Sequence, residues 1–220
     1  MPRKRSASPV QNPRVSPLQQ RMKEERRAVY RQAITEAAER VFADKGTDRS
    51  RMQEIAAEAG VSLGTLYAVI EGKQSLFEGI QLSRMREFFA CIREARDLAD
   101  GTLSRHLAVV RDGTRFFLDH PDFLRMCCRA GFGWASIGGT SKFAAGIWNE
   151  GASVPRDLFA LGVEEGIYVD EDPDLMVRKM LALKQVELTW FVDQGMTAPH
   201  DEVVDRIERQ FIRAFCVRPA

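Results

Sequence analysis

The sequence predicts an all-α protein, with a small N-terminal helical domain followed by a larger helical domain. Apolar residues recur at the three- and four-residue spacing of an amphipathic helix along most of the chain. Strand signals are nearly absent, because the chain has few β-branched runs and no alternating stretch bounded by hairpin dipeptides. Ser, Gly and Pro stand where helices are expected to begin and end, and they give the approximate bounds of each helix.

Composition narrows the class of protein. The 220 residues fit two modest domains or one large one, and a hydrophobic share of 45% is ample for a packed core. No apolar run approaches the roughly 20 residues that a membrane span needs, and the N-terminus lacks the apolar stretch of a signal peptide. We therefore expect a cytoplasmic protein without a membrane partner.

Positive charge is concentrated at the N-terminus, although the formal net charge of the chain is only +1. The first 31 residues hold nine basic and two acidic side chains. Residues 1–20 are predicted to form a basic arm, disordered when free, because its start is rich in Pro, Ser and Arg and has no apolar period. Such an arm indicates either a polyanion partner or a solubilising tail, and charge alone does not choose between them.

Local signals bound the first helix. Ser16 and Pro17 are typical of an N-cap followed by proline at the first helical position, although a start nearer 21–24 fits equally well. Gly46 is expected to end this helix. Ser50 is the predicted N-cap of the next one.

Two short helices are then predicted over 51–59 and 63–70, joined by a tight turn. Gly60 permits a left-handed backbone at this turn, and Ser62 can cap the second short helix. A long helix over 73–96 follows and is expected to pack behind them. This arrangement predicts a helix-turn-helix.

The stretch from Ala33 to Ile80 resembles the DNA-binding domain of TetR-type regulators. The shared residues, all at the family's spacing, are Val41-Phe42, Gly46, Ile55-Ala56, Ala59-Gly60-Val61-Ser62, Gly64-Thr65-Leu66-Tyr67, Lys73 and Leu76. The resemblance implies a homodimeric repressor whose DNA-binding domain, over residues 21–84, holds a palindromic operator in double-stranded DNA.

Four positions depart from the pattern of the family: Thr47, Leu63, Val69 and Ile70. The family usually has a basic or polar residue at position 63 and often His at 69, so two contacts to DNA are expected to be missing here. Either the basic arm supplies affinity in their place, or the operator is recognised differently.

The resemblance implies roles for seven residues of the helix-turn-helix. Base edges in the major groove would be contacted by Leu63, Thr65 and Ala68, and phosphates by Arg51, Ser62, Tyr67 and Lys73. For Tyr67 the alternative is half-buried packing, and for Arg51 it is a solvated surface charge. The basic side chains of the arm could enter an adjacent minor groove; they are Arg3, Lys4, Arg5 and Arg14.

Residues 85–220 are predicted to form a helical effector-binding and dimerisation domain. Helices are expected over 103–118, 122–129, 142–165, 173–193 and 200–217, with a loop or broken helix over 131–139. The last two helices are apolar over more than one face, which suits burial in an oligomer. In TetR-type proteins the corresponding helices pair with their copies, so the resemblance implies a homodimer through them.

A small-molecule pocket is expected in this second domain, because such pockets are largely apolar and aromatic. The candidates are Phe116, Phe117, Met126, Trp134, Trp148 and Trp190, for each of which ordinary core packing is the alternative. No cofactor is predicted, and no His, Cys and acidic residues have metal-ligand spacing. The resemblance implies that effector and operator oppose each other through the long helix over 73–96.

Three other functions are weighed against this one. A DNA-bound activator or architectural protein is the first, and the sequence does not distinguish it from a repressor. Cys127 and Cys128 could make the protein a thiol-based redox sensor, although reduced thiols are the expected state of all four cysteines. An all-α enzyme is the third alternative, but the sequence has no nucleotide-binding loop, Ser/His/Asp arrangement or carboxylate pair at informative spacing.

Overall fold

A computed structural model describes residues 16–130 and 142–217, apart from the side chains of residues 17, 142–145 and 147–150. These residues form nine α-helices and no strand, which confirms the all-α prediction. One isolated antiparallel bridge joins Tyr168 to Cys216. The helices are α1 (Pro17–Lys45), α2 (Met52–Glu58), α3 (Leu63–Val69), α4 (Lys73–Leu98), α5 (Thr102–Asp119), α6 (Pro121–Arg129), α7 (Lys142–Glu164), α8 (Pro173–Asp193) and α9 (His200–Phe215).

The first helix begins at the earlier of its two predicted starts. The Ser16 hydroxyl accepts a hydrogen bond from the Gln19 backbone N–H at 3.2 Å, and the Gln19 side chain accepts one from the Ser16 N–H at 3.1 Å. Together they satisfy two backbone donors at the helix start. Gly46 ends the helix with φ at +77°. The last four residues of the predicted arm are therefore helical, while residues 1–15 lie outside the described residues.

The predicted cap of α2 is wrong. The Ser50 hydroxyl donates to the Thr47 carbonyl at 2.8 Å, so it stabilises the preceding loop. Arg51 is the N-cap residue instead, and its backbone N–H donates to the Glu54 carboxylate at 3.0 Å. A serine at this position can either cap the following helix or donate to the loop before it, and here its hydroxyl bonds to the loop.

Helices α1 to α4 share a core that holds the helix-turn-helix together. Ile34, Phe42, Ile55 and Leu66 are fully buried in it. Helices α4, α5, α7, α8 and α9 pack into the larger second domain, and Pro155 lies inside α7. No helix in the described part of the chain is long and apolar enough to cross a membrane.

A polar contact connects the two domains beside their apolar packing. The Arg129 guanidinium on α6 donates to the carbonyl of Ala43 near the end of α1 at 2.7 Å. Within the first domain, Arg84 on α4 pairs with the largely buried carboxylate of Glu39 on α1 at 3.0 Å. Helix α1 is therefore held from the second domain as well as from within its own.

Candidate nucleic-acid interface and effector cavity

The turn between α2 and α3 has the left-handed backbone that its sequence predicts. Gly60 has φ at +66°, where residues with a Cβ are strained. The Gly60 N–H donates to the Ala57 carbonyl at 3.1 Å, and the Val61 N–H to the Ala56 carbonyl at 2.9 Å. These bonds satisfy carbonyls at the end of α2 and fix the direction in which α3 leaves.

The start of α3 is capped as predicted. The Ser62 hydroxyl accepts from the Thr65 backbone N–H at 3.0 Å, and the two hydroxyl oxygens lie 2.9 Å apart. The cap orders the first turn of α3, the part that enters the major groove in a helix-turn-helix. Thr65 is already engaged with Ser62, so any hydrogen bond from its hydroxyl to a base is shared with the cap.

Helix α3 has one buried face and one exposed face. Leu66 and Val69 are buried, whereas Tyr67 is 52% exposed and Ala68 is exposed. Leu63 is half-buried against the core. Packing accounts for the aliphatic residue at position 69, because that side chain faces the core and not the solvent.

The carboxyl end of α3 is held by a residue that the sequence did not single out. Arg31 on α1 donates from its guanidinium to the Val69 carbonyl at 3.0 Å. A cation at a helix C-terminus satisfies an unpaired carbonyl and interacts favourably with the helix dipole. Because 38 residues separate the two groups, no local pattern could have revealed the contact.

Lys73 and Arg51, both predicted to contact phosphate, have different surroundings. The Lys73 ammonium donates to the carbonyls of Ser50, at 3.2 Å, and Asp48, at 3.4 Å. It therefore fixes the loop before α2 and keeps one N–H for any other acceptor. The Arg51 side chain is exposed.

The second domain contains an apolar cavity of about 40 Å³ between α4, α5, α7, α8 and α9. Its wall includes Phe88, Val110, Met180 and Phe211, with Lys184 as its charged member. A volume of this size holds a few water molecules, far less than the roughly 300–1,000 Å³ of an open ligand pocket.

The predicted pocket residues do not coincide with this cavity. Phe116 and Phe117 are buried one layer away, their ring centroids 5.5 and 5.4 Å from that of Phe88. Met126 is buried on α6, away from the cavity wall. Trp190 is 55% exposed on α8, which corrects its placement in a pocket. Trp134 and the side chain of Trp148 lie outside the described residues.

Burial holds two titratable groups of this domain, His106 and the Cys127 thiol, in their neutral forms. Desolvation lowers the pKa of His106 to about 3, and its Nδ1 lies 3.0 Å from the Tyr168 hydroxyl within an aromatic cluster. Burial raises the pKa of the Cys127 thiol well above its ordinary value, and that of Cys128 as well. Since the thiolate is the reactive form, this works against the redox-sensor alternative. In the described part of the chain, no His, Cys, Asp and Glu side chains group as metal ligands.

These features are those of a helix-turn-helix protein with an attached helical domain. Residues 34–80 match the family model described as bacterial regulatory proteins, tetR family. Over 53 residues the chain is 43% identical to the HTH-type transcriptional repressor BepR of Brucella suis, a match that spans 24% of this chain and 25% of BepR. The similarity to this family therefore covers the helix-turn-helix and the helices packed against it.

Solved structures share the fold well beyond that domain. FadR of Bacillus subtilis, in complex with stearoyl-CoA, matches with a TM-score of 0.69 at 15% identity, over 82% of this chain and 97% of FadR. AibR, in complex with isovaleryl coenzyme A and operator DNA, matches with a TM-score of 0.69 at 19% identity, over 84% of this chain and all of AibR. At such identities the likeness shows the fold alone.

Proposed function

We propose that this protein is a transcriptional repressor that binds a palindromic operator as a homodimer and is released from it by a small apolar effector. The observation that carries the proposal is the capped, partly exposed helix α3, which lies within the 47 residues that match the TetR family. In this proposal residues 21–84 bind DNA, residues 85–220 bind the effector and dimerise, and the basic arm adds phosphate contacts.

Within the interface, the roles follow from the exposure of each side chain. Ala68 and the exposed edge of Leu63 would contact apolar features of bases, such as a thymine methyl. Tyr67 and Arg51 would contact phosphates through their exposed polar groups. Ser62 and Lys73 mainly position the helix and its neighbouring loop, because their polar atoms are already bonded within the domain.

Exposed apolar side chains on α8 support the homodimer. Leu175, Val186 and Trp190 are each at least 43% exposed. Their spacings of 11 and four residues place them on one face of the helix. Ile212 adds a 42% exposed side chain on α9. We assign Trp190 to this dimer face, which is where the TetR-type pairing of the last two helices would bury it.

The effector site is assigned to the cavity around Phe88 and Lys184. FadR and AibR were each crystallised with an acyl-CoA, which supports an effector with an apolar part. The cavity must enlarge to admit one, so bound and free states differ in the packing of α4, α5 and α8. Helix α4 reaches from this cavity to the helix-turn-helix, and a change in its position would alter the spacing of the two α3 helices.

The test begins with selection of bound fragments from random double-stranded DNA by the full-length protein. We expect a palindromic sequence whose half-sites are separated by about one helical turn or a multiple of it. Tyr67→Ala should weaken binding to that sequence about 10- to 100-fold, the effect of removing one charge-assisted hydrogen bond. Leu98→Ala is the matched control, because Leu98 is an exposed apolar residue at the far end of α4.

Two results would contradict the proposal. One is failure of the protein to enrich any DNA sequence, and the other is equal binding by the Tyr67 and Leu98 variants. The contribution of the arm is measured separately, by deleting residues 1–15. If the arm binds phosphates, the slope of log affinity against log salt should become shallower by about 0.9 for each phosphate that the arm neutralises in the full-length protein.

A further inference from the structure

Lys184 on α8 is a buried charged side chain in the wall of an apolar cavity. It is 6% exposed, and it lines the cavity together with side chains of α4, α5 and α9. Lysine is rarely buried to this extent unless its ammonium is paired with an opposite charge. The surroundings of Lys184 therefore require an explanation.

Among the described residues, no hydrogen bond or ion pair reaches the Lys184 ammonium. Its Nζ lies 5.3 Å from the ring centroids of both Phe88 and Phe117. The acidic group one turn further along α8, Glu187, is already bonded to Arg206 and Gln210 on α9. Between α5 and α9, Arg111 and Glu208 pair with each other at 2.9 Å. The aromatic faces are favourable but weak partners for a cation.

Burial has a measurable electrostatic consequence. Desolvation lowers the pKa of Lys184 to about 7, and the Cys91 thiol on α4 is the titratable group that acts against this shift. At neutral pH the side chain is therefore divided between its charged and neutral forms. A bound anion would favour the charged form and draw the pKa back up.

The neighbouring helix leaves room for the ammonium. A Cβ on Gly113 of α5 would lie 3.1 Å from the Lys184 Nζ and 3.2 Å from Phe88 Cε2. Glycine inside a helix is destabilising relative to alanine. A methionine at position 184 would fill the same space without a charge, as Met180 does one turn earlier on the cavity wall. Neither Lys184 nor Gly113 is therefore explained by its contribution to the stability of the fold.

We propose that Lys184 binds the carboxylate of the effector, whose apolar part occupies the cavity beside Phe88, Met180 and Phe211. This inference rests on the proposed function in that it assigns the chemistry of the same effector site. The effector would be a small monocarboxylic acid with an aliphatic or aromatic body. Its apolar part would enter by displacing cavity side chains, and its carboxylate would form the charge-assisted hydrogen bond that the ammonium lacks.

The test measures ligand binding by isothermal titration calorimetry, without DNA. The panel consists of straight-chain acids from butanoate to decanoate, benzoate, phenylacetate and 3-phenylpropanoate, each paired with the corresponding primary alcohol, together with octanoyl-CoA. The variants are Lys184→Met and the control Lys179→Met. Lys179 lies on the same helix, is exposed and pairs with Glu171.

We expect at least one acid to bind the wild type and the Lys179 variant alike. Loss of the charge-assisted bond in the Lys184 variant should weaken that acid roughly 10- to 100-fold and change binding of its alcohol less than about threefold. Lysine labelled with ¹³C at Cε gives a second readout, because the acid should raise the pKa of Lys184 and the alcohol should not. Gly113→Ala, which crowds the ammonium without removing it, should also weaken the acid more than the alcohol.

Three results would overturn the inference: no acid in the panel binds, the acids bind equally well to the Lys184 variant, or octanoyl-CoA or the alcohols bind more tightly than the acids. None of these results affects operator selection, so the proposed DNA binding can be correct even if Lys184 does not bind a carboxylate. Conversely, an acid that binds through Lys184 in a protein that selects no DNA would leave this inference standing and refute the proposed repressor.

Discussion

Removing the charge at position 184 should stabilise the protein, by an amount that depends on pH. The pKa of Lys184 falls from an ordinary 10.5 to about 7 in the folded state. Below pH 7 the side chain is protonated in both the folded and unfolded states, and the folded state carries the full cost of burying the charge. Between pH 7 and 10.5 the unfolded state binds more protons, so the free energy of unfolding rises with pH.

The size of the effect follows from the pKa shift. At about 1.4 kcal/mol per pKa unit, the burial of the charge costs up to ~5 kcal/mol at low pH. Between pH 6.5 and 9.5 the wild type should recover about 3 kcal/mol of this cost. Lys184→Met has no such group, so its advantage over the wild type should be largest at pH 6.5 and shrink by that amount at pH 9.5.

Urea unfolding followed by far-ultraviolet circular dichroism at four pH values measures the difference. Protein concentration must be held constant, since formation of a homodimer would make the measured stability depend on concentration. Lys179→Met controls for the loss of a surface charge and should show a gap to the wild type that does not vary with pH. A gap between the wild type and Lys184→Met that stays constant from pH 6.5 to 9.5 would refute the reasoning, because the lysine would then titrate alike in both states.

Three further predictions concern the turn, the dimer face and the thiols. Gly60→Ala should lower the free energy of unfolding by about 1–2 kcal/mol, because residue 60 has a positive φ. Gly79→Ala should raise the free energy of unfolding by up to about 1 kcal/mol, because a Cβ at this position on α4 meets open space. Thermal unfolding of the two variants measures the difference. Val186→Glu should shift the protein from dimer to monomer in sedimentation velocity, and an unchanged dimer would exclude this face. Blocking Cys127 and Cys128 with iodoacetamide at pH 7.5 should be slow and should leave operator affinity unchanged, and a fast reaction that abolishes binding would restore the redox alternative.

The features predicted most successfully from the sequence are those that contacts between nearby residues determine, namely helix caps and turns. The caps at Ser16 and Ser62 and the turn at Gly60 depend on residues within four positions of each other, and all three are confirmed. The helix bounds followed for the same reason, to within a few residues. The error at Ser50 arose where two local contacts compete for the same hydroxyl, and a sequence pattern cannot rank them.

The cavity proposed as the effector site cannot be located from the sequence. Its wall combines residues from five helices, so which aromatic side chains meet depends on how those helices pack. The preference of pockets for aromatic residues predicts Trp190 as a pocket residue, but its helix turns that side chain outward. A lysine on a long helix is normally solvated, so the sequence does not single out Lys184. Only the packed structure distinguishes it from Lys179, five residues earlier and exposed.

The two arginine contacts on α1 give that helix a mechanical role. From α6, Arg129 donates a hydrogen bond to a carbonyl near the carboxyl end of α1. Arg31, halfway along α1, donates one to a carbonyl in the last turn of α3. If α6 shifts and keeps the first contact, we expect α1 to move with it, and the bond from Arg31 would pass that movement to the carboxyl end of α3. Polar contacts thus connect α6 to the carboxyl end of α3 by way of α1, without involving α4.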